Sequence, residues 1–143
     1  MKLSLSVLIA MMLCGAAMAA DMSAVAGHYR YEQYEVKLPD GRVLHLKDLG
    51  ASDAFLDISD TEIILRMTMN HENDVTQSAK ILEAHFDKGA GYWTAKWPDM
   101  KGPIRAKISL IGDVLTSDTQ FDNQADPQYG SSEHAVLKRV KQK

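Results

Sequence analysis

Cysteine is nearly missing from this chain. Its 143 residues hold one, Cys14, inside an N-terminal stretch that reads as a leader. No disulfide can therefore staple the remainder, and a domain there must be held by an apolar core. The sequence also lacks a Gly-x-Ser-x-Gly elbow, a glycine-rich phosphate loop and any second cysteine nucleophile. It nominates no catalytic residue and no cofactor. An excess of basic residues is absent too. Sixteen Lys and Arg stand against 19 Asp and Glu, a formal net charge of −3, which becomes −4 once Lys2 is removed with the leader. That balance excludes a broad electrostatic footprint for nucleic acid. The ending LKRVKQK is basic only locally and reads as a soluble strand end and tail.

An almost wholly apolar run, Leu3 to Met12, follows Met1-Lys2 and precedes Ala17-Met18-Ala19. This is the layout of a secretory signal peptide cleaved after Ala19, and the run is too short for a transmembrane helix. Met12 and Leu13 are not the small residues expected before a lipid-modified cysteine. The expectation is export, to a periplasm or beyond, as one domain over residues 20–143 with no transmembrane segment after processing.

Period-two alternation runs through nearly all of that domain. HYRYEQYEVKL at 28–38 and RVLHLKDL at 42–49 flank the turn signal PDG at 39–41, which predicts a hairpin. AFLDIS and EIILRMTMN flank Asp60-Thr61. In the second of these, Ile63, Leu65, Met67 and Met69 share one face. Residues 75–86, VTQSAKILEAHF, fit a strand and also place Val75, Ala79, Leu82 and Phe86 at helical spacing. The glycines and aromatics that follow favour the strand. YWTAKW, IRAKISL, VLTSDTQF and EHAVLKRV complete about nine strand-like segments, with no internal repeat. Short connections between successive strands predict an all-β, antiparallel up-and-down meander. Closure into a small barrel of eight to nine strands would remove its edges.

Gly27-x-Tyr29 opens the first strand, and ISLIGDVLTSDTQF leads to HAVLKRV near the end. In this order the mature chain resembles the small bacterial-type lipocalin-like proteins of the calycin superfamily. The resemblance implies an up-and-down barrel that holds an apolar ligand in its interior. It also implies that Gly27, Tyr29 and Arg139 close one barrel end, with Tyr29 standing where lipocalins carry tryptophan. A fatty-acid-binding-like or avidin-like barrel fits the same periodicity.

Alternation then nominates the walls of a ligand cavity: Leu44 and Leu46; Leu65, Met67 and Met69; Trp93 and Trp97; Ile108 and Leu110. Trp93, Ala95 and Trp97 share a face opposite Tyr92, Thr94 and Lys96, which points the tryptophans inward. The same side chains would equally fill a small barrel with no cavity. Of the five histidines, His71 lies in NHENDV with Glu72 and Asp74, a set that can ligate a cation but reads as a polar turn. No metal site is assigned. The expected activity is non-enzymatic binding of a small apolar or amphipathic ligand. The alternatives are a protein-binding or inhibitor module for an envelope partner, using loops 122–132 and 98–103, and a small barrel enzyme with an unidentified site.

Overall fold

Alternating apolar residues become the inner lining of a sheet whose other face meets water. The computed structural model describes residues 21–141. The leader at 1–19, with Cys14, lies outside the described residues. The strands are β1 (Gly27–Lys37), β2 (Val43–His45), β3 (Ala51–Ile58), β4 (Glu62–Met69) and β5 (Val75–Asp87). They continue with β6 (Ala90–Lys96), β7 (Ile104–Ile111), β8 (Val114–Gln120) and β9 (Ser132–Arg139). Each pairs antiparallel with its neighbour in the order β2-β1-β3-β4-β5-β6-β7-β8-β9, and β9 returns to pair with β1 from Tyr29↔Arg139 to Lys37↔Ser132. The result is a single up-and-down sheet closed into an eight-stranded barrel, which leaves no continuous free edge.

β2 is not a ninth stave. β3 pairs with the start of β1, Gly27–Arg30, and β2 pairs with its end, Glu35–Lys37, along the same edge. Between them the chain forms a 3₁₀ turn, Leu46–Leu49. Residues 42–49 were expected to form one strand, and a local competition breaks it. The Asp48 carboxylate accepts the His45 backbone N–H at 2.7 Å, and Gly50 ends the turn at φ +82°. A short polar side chain that captures a nearby backbone donor favours a turn over a ladder.

Residues 75–86 are a strand, with a β-bulge between Ile81 and Glu83. Before the bulge Ala79 and Ile81 point inward; after it Ala84 and Phe86 do. Leu82, at the bulge, is 44% exposed. One extra residue shifts the inward set by one position, which accounts for the mixed periodicity of this segment. β5 then turns into β6 through Lys88 (φ +53°) and Gly89 (φ +79°), a two-residue hairpin with both central residues left-handed. A side chain at Gly91 would strike the His85 carbonyl oxygen, at 1.8 Å from Cβ. Glycine is required there for close packing.

The core occupies one end of the barrel. Met22 and Val25 precede β1 in a turn closed by Val25 N–H to Met22 O (3.0 Å) and Ala26 N–H to Met22 O (2.8 Å). Both side chains are fully buried, as are Tyr29, Ile63, Leu115 and Leu137. Burial at this density supplies the cohesion that disulfides would otherwise provide.

Candidate ligand cavity

Tyr29 and Arg139 plug the closed end. The Tyr29 hydroxyl donates to Val25 O at 2.7 Å and accepts from Arg139 Nη2 at 2.9 Å. Nη2 also reaches Ala26 O at 3.3 Å, and the guanidinium carbon lies 5.4 Å from the Tyr29 ring centroid. Burial raises the Tyr29 pKa, opposed by its bond to Arg139. A Cβ at Gly27 would sit 3.2 Å from Arg139 Nε, and Gly27 itself adopts φ +155°. A side chain at this position would therefore be both strained and crowded.

Toward the other end the interior opens into a cavity of about 260 Å³. Its size comes from small residues placed beside large ones. Trp93 pairs with Ala84 on β5 and Ala106 on β7, while Ala95 pairs with Ile81 and Ile104. The short neighbours make room for the Trp93 indole, which is 5% exposed, and leave a void above it.

Among the residues nominated from sequence, Leu46, Leu65, Met67, Trp93 and Trp97 line this cavity. Leu46 reaches it from the 3₁₀ turn rather than from a strand. Leu44 stands opposite Val36 at the rim, outside the lining. Met69 also lies outside it, at the end of β4, where a Cβ at Gly50 would meet its methyl at 3.6 Å. Ile108 is buried in the core below the cavity, and Leu110 packs against that core. Tyr92 points outward. Its hydroxyl donates to Glu83 at 2.9 Å, and the Arg105 guanidinium carbon lies 4.0 Å from its ring centroid.

Sequence reasoning passed over the polar side of the cavity. Tyr31 and Tyr34 both line it, with rings edge to face at 5.8 Å. They share the interior because a bulge between Tyr31 and Gln33 shifts the alternation of β1. The Tyr34 hydroxyl donates to Glu133 Oε2 at 2.8 Å. Glu133 is on β9 in phase with Ala135, Leu137 and Arg139, so strict alternation back from Arg139 finds it. Burial raises the Glu133 pKa against the opposing bond from Tyr34. Burial, and then the nearby Glu133 charge, push Tyr31 upward, and the same two causes act in the same order on Tyr34. Ser117 and Thr119 on β8 add hydroxyls beside them.

Two loops cover the mouth. The turn after β6 is pinned by Lys96, whose Nζ donates to Trp97 O at 2.8 Å and also to Met100 O. The long loop 121–131 docks on it through buried Asp126, which accepts Lys101 N–H at 2.6 Å. Met100 and Asp99 from the first loop, and Phe121 and Gln128 from the second, reach the cavity. These are the loops weighed above as partner-binding elements. Here they form one joined rim, with Tyr129 exposed on it.

None of the five histidines lines the cavity. His28 pairs with Asp57 and stacks on Phe55 at 5.4 Å, and His134 bonds Asp118 at 2.6 Å. In the NHENDV turn, Asp74 accepts the Met69 N–H at 3.3 Å. Among the described residues no three metal-ligating side chains gather.

These features define a closed, eight-stranded, all-antiparallel up-and-down barrel with an internal cavity able to enclose a small ligand. No protein-family model matches the chain, and no curated protein matches it. Two solved structures are similar in overall shape. One is a redesigned β-barrel, b11L5F_LGL, with a TM-score of 0.48 and 14% identity, covering 87% of this chain and 98% of that one. The other is EF1p2_mFAP2b bound to DFHBI, with a TM-score of 0.46 and 12% identity, covering 86% and 99%. The fold assignment rests on the strand pairings of the chain itself.

Proposed function

We propose that this protein is an exported, non-enzymatic lipocalin-like carrier that binds a small apolar or amphipathic molecule inside its barrel. The cavity carries this reading. It is walled mainly by aliphatic and aromatic side chains, is closed below by the core, and carries a few polar groups, most of them on the adjoining strands β8, β9 and β1. That is the usual construction of a small-molecule site. The packing of Gly27, Tyr29 and Arg139 at the closed end supports the lipocalin kinship, and the leader-like residues 1–19 support export.

The test is a titration of the mature protein with the uncharged fluorophore N-phenyl-1-naphthylamine. Saturable binding with energy transfer from Trp93 and Trp97 is expected. Ser117→Phe, which fills the cavity, should abolish it while leaving the far-ultraviolet circular dichroism unchanged. No saturable signal from wild-type protein would refute the reading.

A further inference from the structure

The lining of the cavity is one-sided in charge. Glu133 lies in its wall and Asp99 at its mouth, and among the described residues no Lys, Arg or His side chain reaches it. Lys96, at the mouth, is engaged with the Trp97 and Met100 carbonyls. Around Glu133 stand the Tyr31 and Tyr34 rings, and Trp93 and Trp97 form part of the remaining wall. Tyr34 gives Glu133 one hydrogen bond, which leaves most of the carboxylate's acceptor capacity unused.

We infer that the ligand is an amphiphile with a cationic, hydrogen-bond-donating head, a protonated amine, seated on Glu133 beside Tyr31 and Tyr34 with its apolar part against the tryptophan wall. This rests on the ligand-carrier reading above and specifies the chemistry of the same cavity. A carboxylate removed from water is costly without a counter-charge, and an ammonium group supplies one. Aromatic faces add cation–π attraction in the same place. A fatty acid meets the opposite situation. Its head would lie beside Glu133 and below Asp99 with no basic side chain to offset the repulsion. A raised Glu133 pKa agrees with a carboxyl that lacks a cation in the unliganded protein.

The experiment displaces N-phenyl-1-naphthylamine with three molecules that share one tail: octylamine, octanol and octanoate. At neutral pH the amine should displace the fluorophore at a concentration at least about tenfold lower than octanoate, with octanol between them. Glu133→Gln should reduce the amine to the level of octanol and leave octanol itself unchanged, which separates loss of the charge contact from loss of the cavity. Tyr34→Phe should weaken the amine by a smaller factor. If the fluorophore binds but the three heads displace it equally, or none displaces it, the head-group assignment is wrong while the carrier reading stands. The assignment also falls if Glu133→Gln keeps the amine preference. If the fluorophore itself fails to bind, both fall together.

Discussion

Trp93 and Trp97 lie four positions apart on one inward face, yet their surroundings differ. Trp93 is held between Ala84 and Ala106 deep in the barrel, whereas Trp97 follows the last residue of β6 at the mouth. Trp93→Ala should cost about 3–5 kcal/mol in urea unfolding, the range for an aromatic removed from a packed interior. Trp97→Ala should cost about 1–2 kcal/mol, because less apolar surface leaves water there on folding, and should weaken fluorophore binding more than stability. Equal losses for the two variants would show that they share one environment. Glu133 makes a second prediction at this scale. Burial raises its folded pKa above that of the unfolded chain. Between those two values the folded protein keeps a proton that the unfolded chain has released, so this group's contribution lowers stability as pH rises through the window. Glu133→Gln removes that titration. Urea unfolding of both proteins from about pH 4 to pH 8 should show the variant gaining stability over wild type as pH rises. A difference curve that is flat with pH would place Glu133 in water instead.

Strand positions were legible because period two is a local signal, and each of the expected strands except 42–49 keeps its extent to within a few residues. The interruptions were not legible. The bulges at Tyr31/Gln33 and Ile81/Glu83 and the turn at Leu46–Leu49 arise where a barrel must curve or a local hydrogen bond wins. Each changes which residues face inward, so Tyr34 joins the cavity, Leu82 leaves the interior and Leu46 enters from a turn. The mouth loops make an element-scale prediction. Asp126 is buried and its carboxylate satisfies the Lys101 N–H, so Asp126→Ala leaves a donor without its partner at a cost of about 1–3 kcal/mol. Hydrogen exchange should then rise together in residues 97–103 and 121–131, with the β7–β9 ladder still protected. An increase confined to one loop would show that the two are not joined.

For the whole molecule, closure of β9 on β1 makes the barrel one cooperative object. The pairing Tyr29↔Arg139 joins the two ends of the described chain, and the remaining staves lie between. Urea unfolding followed by circular dichroism and by tryptophan fluorescence should give coincident transitions. Refolding should fall in about the millisecond-to-second range expected for non-local β topologies. Separate transitions would mean that the mouth region melts on its own.

Composition and alternation were enough to establish an all-β chain held by burial, with the tryptophans directed inward, because side-chain polarity and strand period are written residue by residue. Gly27, Tyr29 and Arg139, singled out at the two ends of the domain, meet where β9 returns to β1. Whether the interior is filled or hollow was not legible, since a void depends on which small residues face which large ones across strands distant in sequence. The polar wall of Tyr31, Tyr34 and Glu133 shares that dependence. It needs a bulge in β1 and the return of β9 to set a carboxyl from residue 133 against a hydroxyl from residue 34, a meeting that closure of the barrel alone brings about.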